Sequence, residues 1–224
     1  MRISFDYEED LVIAFINNYS KVKKEIVVKE MTIRFGNIDV VSIKNTELPF
    51  STDQIKILSK PSNALVFTTI KNERPISKEK LSKSIGLSDS TINSVLYELL
   101  KYNLITKQGS NYLRESNFVF PKTAITGYEA KLRDFNKAFY QAKCNKEYVD
   151  YSYLVFPDNL AEKILKNKLE LLITNGIGLI GVSEKQNDVL LKAKKIKGIN
   201  NYIRLLNITK ANIMQIHKLE NMVG

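Results

Sequence analysis

The first 50 residues contain too few structural elements to form a core by themselves. The stretch YEEDLVIAFINNY (7–19) has apolar side chains at the spacing of an amphipathic helix, with Glu8 on the same face. The runs KEIVVKEMTI and NIDVVSI are short and rich in β-branched residues, and Gly36 with Asn37 predicts a hairpin turn between them. One helix and one hairpin bury too little apolar surface for a stable domain, so these elements must pair with others further along the chain.

Such partners begin only after residue 122. The pattern predicts a strand over 123–132, a helix in FNKAFYQAKCNKEY, a strand in VDYSYLVFP, a helix in DNLAEKILKN and a strand in GIGLIGV. Joined to the N-terminal elements, these give the order helix, hairpin, strand, helix, strand, helix, strand. We therefore predict one α/β sheet domain with a second domain inserted between its second and third strands. This prediction requires residues 46–49 and 118–122 to be neighbours in space.

The inserted segment, residues 51–117, has its own order of parts. Ser77 and Ser88 are placed to cap two helices, and Gly86 supplies the left-handed residue that ends the first of them. Two strand-like runs follow the second helix, and residues 64–70 form an earlier helix. The face of the second helix that we expect to be buried consists of Ile92, Val95, Leu96, Leu99 and Leu100. In this order the segment resembles a winged helix-turn-helix domain.

In the winged helix-turn-helix family, the second helix of the pair enters the major groove and the hairpin, or wing, contacts the backbone. The resemblance therefore implies double-stranded DNA as a partner, with Asn93 reading an adenine edge and Lys107 and Arg114 binding phosphates. The implied DNA contacts are Ser90, Thr91, Asn93, Ser94, Tyr97, Lys107 and Arg114. A domain that serves only protein contacts is the alternative, because Asp89 and Glu98 place negative charge near the same face.

Net charge and the scarcity of certain residues limit the chemistry. A formal charge of +10 and an isoelectric point near 9.4 favour an anionic partner, nucleic acid first and an anionic membrane surface second. One histidine and one cysteine supply neither an ordinary zinc site nor a histidine-assisted nucleophile. The N-terminal residues show no signal-peptide pattern, and no apolar run approaches the roughly 20 residues of a membrane span. We expect a soluble, cytoplasmic protein whose chemistry depends on carboxylates and lysines.

Two short motifs in the predicted strands carry a further resemblance. Asp39 lies in FGNIDVVSI, and Glu129 and Lys131 belong to a Glu-Ala-Lys tripeptide in TGYEAKL. With the order of elements, they resemble the PD-(D/E)XK nuclease superfamily, whose core has an aspartate on its second strand and Glu-x-Lys on its third. Glu8 fits the acidic residue that many members have in the first helix, and Gln141 fits a glutamine that recurs in the following helix.

This resemblance implies a restriction-endonuclease-like mixed sheet flanked by helices, formed by residues 1–50 and 118–224. It also implies a metal-dependent DNA endonuclease that uses Mg²⁺ or Mn²⁺, with Asp39, Glu129 and Glu8 as metal ligands. Lys131 would orient or help deprotonate the attacking water, and Gln141 would hold the water or the scissile phosphate. Cleavage of both DNA strands needs two active sites, so a homodimer or a partner subunit is implied.

The sequence departs from the family pattern in two places. Ile38 stands where the superfamily often has proline, and 90 residues separate Asp39 from Glu129, a distance that the inserted domain explains. The alternative interpretation is a salt bridge from Asp39 to Lys131 without catalysis, which also satisfies a buried carboxylate. The protein would then be a DNA-binding regulator with a degenerate nuclease-like dimerisation domain. Cleavage of RNA stays open, as does the role of the amphipathic C-terminal segment in packing on the sheet or forming a dimer.

Overall fold

The computed structural model describes residues 5–22, 25–44, 47–115 and 118–223. The chain divides into two compact units, each made of two separate stretches. The sheet domain comprises Met1–Thr46 and Thr123–Ile199, and the helical domain comprises Glu47–Lys122 and Asn200–Gly224. The prediction of an α/β protein with a mixed sheet flanked by helices is confirmed. Within the described residues, no helix combines the length and the apolar character needed to cross a membrane.

Helices and strands follow one another in short groups along the chain. In order, they are α1 (Glu8–Val22), β1 (Glu25–Ile33), β2 (Gly36–Lys44), α2 (Thr52–Leu58), α3 (Pro61–Thr69), β3 (Ile76–Ser77), α4 (Lys78–Ile85), α5 (Asp89–Lys101), β4 (Ile105–Gln108), β5 (Asn111–Arg114), β6 (Ile125–Ala130), α6 (Phe135–Asn145), β7 (Tyr151–Pro157), α7 (Asp158–Asn175), β8 (Gly178–Val182), β9 (Asn187–Leu191) and α8 (Asn201–Val223).

The strands of the sheet domain lie in the order β1-β2-β6-β7-β8-β9. β1, β2 and β6 are antiparallel neighbours, β6, β7 and β8 are parallel, and β9 runs antiparallel to β8. The hairpin turn consists of residues 34–35, because Ile33 pairs with Gly36, so it precedes the predicted position by two residues. The sequence does not predict β9, because polar and apolar residues do not alternate in NDVLL. In the structure none of its residues is fully buried.

Helices cover both faces of this sheet. On one face, α1 packs Leu11 and Phe15 against Val40 of β2 and Tyr128 of β6. On the other face, α6 and α7 pack against β7 and β8 in a second apolar cluster. Because side chains alternate along a strand, Tyr128 faces α1 while the next residue, Glu129, faces α6.

The two ends of the inserted segment lie close together. In the sheet domain, Thr123 Oγ1 donates to the carbonyl of Lys44 at 3.0 Å, and Lys44 N donates to Ala124 O at 3.5 Å. In the helical domain, the rings of Phe50 and Phe118 pack with their centroids 5.0 Å apart. The chain therefore leaves and re-enters each domain at adjacent points, as an insertion between β2 and β6 requires. Thr46, which the prediction also named, lies outside the described residues.

The helices of the helical domain begin and end where local chemistry predicts. Ser77 Oγ accepts from Lys80 N, Ser88 Oγ accepts from Thr91 N, and Gly86 ends α4 with a φ of 67°. A three-stranded sheet in the order β3-β5-β4 completes the domain, and the two-residue β3 is an element that the sequence does not indicate. Leu100 is only partly buried, whereas the rest of the predicted α5 face is buried: Ile92, Val95, Leu96 and Leu99.

The C-terminal helix α8 belongs to the helical domain, which corrects the predicted boundary of 118–224 for the sheet domain. Leu205 of α8 is fully buried in one apolar cluster with Leu58 and Phe67. Thr209 Oγ1 donates to the Leu58 carbonyl at 3.2 Å. The apolar face of this helix therefore packs on α2 and α3 and completes their shared core.

Candidate active site

Four charged side chains from three parts of the sheet domain meet at the end of β6. Lys131, directly after β6, has its Nζ 3.1 Å from Asp39 Oδ2, 3.3 Å from Glu129 Oε1 and 3.5 Å from Glu8 Oε2. Asp39 lies on β2, Glu129 on β6, and Glu8 in the first turn of α1. These four residues are called the Lys131 cluster. The structure thus brings together four of the five side chains that the sequence nominates for catalysis.

The register of β2 places two of the carboxylates side by side. Val40 pairs with Tyr128 in the antiparallel β2–β6 ladder, which puts Asp39 opposite Glu129. On the other side of β2, Glu30 of β1 lies opposite Asp39 and has a left-handed φ of 52°. A non-glycine residue in that region costs about 1–3 kcal/mol, and such strain is concentrated at functional sites.

Hydrogen bonds orient Asp39 and Lys131. Asp39 Oδ2 accepts from the backbone N of Ala130 at 2.9 Å and from Lys131 Nζ at 3.1 Å. Lys131 Nζ also donates to the Ala130 carbonyl at 2.8 Å. The ammonium is therefore held among the carboxylates and not extended into solvent, and only 7% of the Lys131 side chain is exposed.

Glu129 is fully buried, and its two oxygens differ in their surroundings. Oε2 accepts from Asn145 Nδ2 at 3.1 Å, whereas Oε1 receives no hydrogen bond from the described residues. Burial, and next the charge of Asp39, raise the pKa of Glu129 to about 8 against the opposing effect of Lys131. The Glu129 carboxyl is therefore mostly protonated at neutral pH unless a further cation approaches it.

The surroundings of Lys131 favour its charged form, whereas those of Glu129 favour its neutral form. Burial lowers the pKa of Lys131, but the carboxylates of Asp39, Glu129 and Glu8 outweigh burial, so that the net shift is upward. Lys131 therefore stays an ammonium at physiological pH, which suits orientation and charge stabilisation better than proton abstraction. One cation faces three carboxyl groups here, and the Glu8 side chain is 53% exposed, so the cluster opens to solvent on the α1 side.

The donors of the Lys131 cluster suit a hard divalent cation. Asp39, Glu129 and Glu8 offer carboxylate oxygens, which Mg²⁺ and Mn²⁺ prefer as ligands. Glu129 Oε1 in particular is buried and receives no hydrogen bond from the described residues, although it lies 3.3 Å from the Lys131 ammonium. Across the described ranges, no three His, Cys, Asp or Glu side chains are grouped closely enough to hold a metal as they stand. A cation would have to share these oxygens with the Lys131 ammonium.

Gln141, the fifth predicted residue, forms no ion pair or hydrogen bond with the cluster among the described contacts. It lies on α6 four residues before Asn145, so both side chains project from the helix face that reaches Glu129. Gln141 Oε1 is buried and has no hydrogen-bond partner in the described part of the chain. Asn145, which contacts Glu129 directly, was not predicted, although its spacing from Gln141 was a usable signal.

The helical domain exposes most of the residues predicted to contact DNA. Thr91 is half-buried, and its Oγ1 lies 2.8 Å from Ser88 Oγ. Glu98, which was expected to disturb a DNA-binding face, accepts from Lys60 at 2.6 Å and from Asn63 at 2.7 Å, and the Lys60 hydrogen bond lowers the pKa of Glu98. The exposed predicted residues are Ser90, Asn93, Ser94, Tyr97 and Lys107.

Arg114 is the exception, because the structure gives its guanidinium other partners. Arg114 donates to the carbonyls of Phe67 and Thr68 at 3.1 Å each and to Asn72 Oδ1 at 2.9 Å. It also lies over three phenylalanine rings and is only 7% exposed. Burial lowers the pKa of Arg114 to about 10, so it remains a cation at neutral pH. Its predicted role as a phosphate contact is therefore replaced by a structural one.

Comparisons with known proteins supply no independent assignment. No protein-family model, no curated protein and no solved structure matches this chain. The Lys131 cluster and the surface of the helical domain are the features of the chain that bear on its function.

Proposed function

We propose that the chain is a metal-dependent DNA endonuclease of the PD-(D/E)XK type. The observation that carries the proposal is that Asp39 and Glu129, 90 residues apart in sequence, both lie within 3.3 Å of the Lys131 ammonium. An aspartate beside a Glu-x-Lys pair on the neighbouring strand is the constellation that the resemblance implies. Burying such charges has a desolvation cost of several kcal/mol, so apolar side chains are expected at these positions in a fold with no use for charge.

The topology of the sheet domain supports the same proposal. α1, the antiparallel strands β1, β2 and β6, then α6 and the parallel strand β7 follow the order helix, meander, helix, strand. This is the order of the PD-(D/E)XK core. The helical domain enters between β2 and β6, at a loop of the meander, and leaves the pairing of these two strands intact.

Each residue of the Lys131 cluster has a role in phosphodiester hydrolysis under this proposal. Lys131, kept protonated by its neighbours, orients the attacking water and offsets negative charge that builds on the phosphate oxygens. Asp39, Glu129 and Glu8 would hold Mg²⁺ or Mn²⁺, and the ion would supply a lowered pKa for a bound water and charge stabilisation for the leaving oxygen. Gln141 offers its unmet acceptor, Oε1, to the attacking water.

In this proposal the helical domain is a winged helix-turn-helix that positions the enzyme on duplex DNA. α5 presents Asn93, Ser94 and Tyr97 to solvent, and Lys107 is exposed on the β4–β5 hairpin. The formal charge of +10 supports an anionic partner. Cutting both strands requires a homodimer or a partner subunit, so a product that is only nicked indicates one active site acting alone.

Plasmid cleavage tests the enzyme assignment. With Mg²⁺ or Mn²⁺ the wild type is expected to cleave supercoiled plasmid, and Glu129→Gln and Lys131→Met are each expected to lower the rate by about 100-fold or more. Glu9→Gln is the matched control, because Glu9 is adjacent to Glu8 but pairs with Lys29 at 3.0 Å. The assignment is wrong if the wild type is inactive at high enzyme and metal concentrations, or if all four proteins cleave equally.

A non-catalytic DNA-binding regulator is the second candidate, and one observation favours it. Lys131 Nζ already lies within 3.5 Å of the carboxyl groups of Asp39, Glu129 and Glu8, so the cluster can persist as a network of ion pairs and polar contacts without a metal. The sheet domain would then be a degenerate nuclease-like dimerisation domain. DNA affinity separates the candidates: the regulator predicts steep salt dependence and the same affinity in EDTA and Mn²⁺. The nuclease predicts tighter binding when a divalent cation is present.

A further inference from the structure

The sheet domain has a cavity of about 520 Å³ on the α1 side of the sheet, within the size range of small-molecule sites. Its walls come from α1 and from strands on both sides of β6. It is separate from the Lys131 cluster, because Tyr128 faces the cavity while Glu129 faces α6 and Lys131 lies beyond the end of the strand. This cavity is called the tyrosine pocket after its aromatic lining: Phe15, Tyr19, Tyr128, Tyr151 and Tyr153.

The aromatic walls of the tyrosine pocket are packed in defined orientations. The rings of Tyr128 and Tyr153 stack with centroids 5.7 Å apart and planes inclined by 25°, and Phe15 lies 4.8 Å from Tyr128. A Cβ at Gly178 would overlap the Tyr153 ring, so the glycine makes room for that ring in the wall. Preset aromatic faces of this kind favour a flat ligand that stacks on them.

The hydroxyl groups at the base of the tyrosine pocket are satisfied by each other. Tyr19 Oη donates to Glu25 Oε2 at 2.6 Å and lies 2.9 Å from Ser42 Oγ, which in turn lies 3.2 Å from Tyr128 Oη. Burial is the main cause that raises the pKa of both tyrosines, so they are neutral phenols at physiological pH. These hydroxyls rigidify the wall and do not themselves call for a ligand.

Asn18, in contrast, has a polar atom that lacks a hydrogen-bond partner within the described part of the chain and that a ligand could satisfy. Its Nδ2 donates to Ser183 O at 3.0 Å and to Asn187 Oδ1 at 3.3 Å, while Asn187 Nδ2 donates to Phe15 O at 2.8 Å. Both partners of Asn18 Nδ2 are acceptors, which fixes the orientation of the amide. Asn18 lines the pocket and is 5% exposed, and its buried Oδ1 receives no hydrogen bond from the described residues. A ligand with an N–H group would satisfy this oxygen.

We infer that the tyrosine pocket binds a nucleotide whose base carries an exocyclic amino group, as adenine does. The base stacks on the tyrosine rings, an interaction that tolerates any flat π-system. The amino group donates to Asn18 Oδ1, which distinguishes such a base from one without the group. Two exposed lysines of the pocket lining, Lys44 and Lys185, provide positive charge for the phosphate. The inference does not depend on the nuclease proposal.

Calorimetric titration of the wild type in EDTA, which removes metal-dependent binding, tests the ligand class. AMP is expected to bind at least about 10-fold more tightly than purine riboside 5′-monophosphate, which lacks only the amino group, because one hydrogen bond to Asn18 Oδ1 is lost. Ribose 5-phosphate, which lacks the base, is expected to bind at least about 100-fold more weakly than AMP. No AMP binding at millimolar concentration, equal binding of all three compounds, or binding of tryptophan in preference to AMP would each overturn the inference.

Variants of the full chain test the location of the site. Lys185→Gln is expected to weaken AMP binding about 3-fold or more, whereas the matched control Lys192→Gln, an exposed lysine outside the pocket lining, leaves it unchanged. Asn18→Leu is expected to reduce the AMP preference over purine riboside 5′-monophosphate to about 1. Glu129→Gln removes cleavage if the nuclease proposal holds, yet leaves AMP binding intact. Loss of AMP binding in Glu129→Gln, or none in Lys185→Gln, would place the ligand elsewhere and contradict the inference.

Discussion

Two buried cations, Lys131 in the sheet domain and Arg114 in the helical domain, are held in opposite ways. Lys131 Nζ has three carboxylates within 3.5 Å, whereas Arg114 donates to two carbonyls and an amide oxygen at 2.9–3.1 Å. The pKa of Lys131 is accordingly raised and that of Arg114 lowered. Lys131 is surrounded by negative charge that could also bind a further cation. Arg114 is surrounded by neutral acceptors that already receive hydrogen bonds from the guanidinium. The neighbours of a buried cation, more than its burial, indicate whether it serves chemistry or structure.

The largest effect on stability is expected from Lys131→Met. The change leaves three carboxyl groups without their cation, and breaking a buried pair in this way costs about 3–5 kcal/mol. The loss should be greater at pH 8 than at pH 5, because ionisation of Glu129, whose pKa is raised to about 8, adds a negative charge that the variant cannot offset with an ammonium. Hydrogen exchange of the β6 and β2 amides, followed without metal at both pH values, measures it. Lys29→Met, an exposed pair with Glu9, is the control and should lose less than about 1 kcal/mol; equal losses in the two variants would contradict the prediction.

A somewhat smaller loss is expected from Arg114→Met, on the order of 2–3 kcal/mol, because buried acceptors in α3 lose their donors. This loss should be the same at pH 5 and pH 8, since no carboxylate is among the described partners of Arg114. Exchange of the α3 and β5 amides reports on it. A strong pH dependence of the stability loss in Arg114→Met would contradict the proposed difference between Arg114 and Lys131. Lys107→Met on the exposed hairpin controls for removal of a positive charge.

Glu129→Gln is expected to change the pH dependence of stability in the metal-free protein. The carboxyl group has its ordinary pKa of 4.5 in the unfolded chain but a pKa of about 8 in the folded one, so the wild type loses stability as pH rises between these values. The slope for one proton is at most about 1.4 kcal/mol per pH unit. The variant lacks this slope. Its free energy of unfolding, measured by urea titration, should therefore rise relative to that of the wild type from pH 5 to pH 9. A constant difference over that range would show that Glu129 does not carry the proton.

The smallest effect is expected at Lys107. Of the two cations predicted for the wing, Arg114 is buried and Lys107 is exposed. Lys107→Gln is expected to reduce the slope of log K for DNA against log salt by about 1, with a loss of a few-fold in affinity. Lys56→Gln on α2, exposed but outside the predicted DNA contacts, should leave the slope unchanged. Fluorescence anisotropy across a salt series measures both. If the Lys107 variant keeps the wild-type slope, the hairpin does not contact phosphate.

Local chemistry explains how much of the fold was predictable. Ser77, Gly86 and Ser88 cap helices through bonds to residues three or four positions away, so their sequence pattern suffices. The i, i+2 spacing of Glu129 and Lys131 likewise places them together on one face at the end of β6. Their approach to Asp39 depends on the β2–β6 register, and only the resemblance to a known family anticipated it.

The features that the sequence did not predict correctly share a physical cause: each depends on residues that are distant in sequence. Arg114 follows a turn in a polar stretch, where arginine is usually solvated, and only the folded position of Phe67 and Thr68 explains its burial. The edge strand β9 forms because β8 offers a free side for pairing, and all five of its residues are half-buried or exposed. α8 is amphipathic enough for several surfaces, and the exposed core of α2 and α3 decides which one it covers.

The interleaving of the two domains has a consequence for synthesis on the ribosome. β2 is made early, but its partner β6 follows about 80 residues later, so the sheet cannot close while the intervening segment is emerging. The helical domain cannot finish first, because Leu205 and Thr209 complete its core from beyond the last strand. The sheet domain therefore waits for residues up to 199 and the helical domain for residues near 209 to leave the exit tunnel, and a chain shorter than this exposes two unfinished cores at once. Such a protein is expected to depend on chaperones during translation and to tolerate C-terminal truncation poorly.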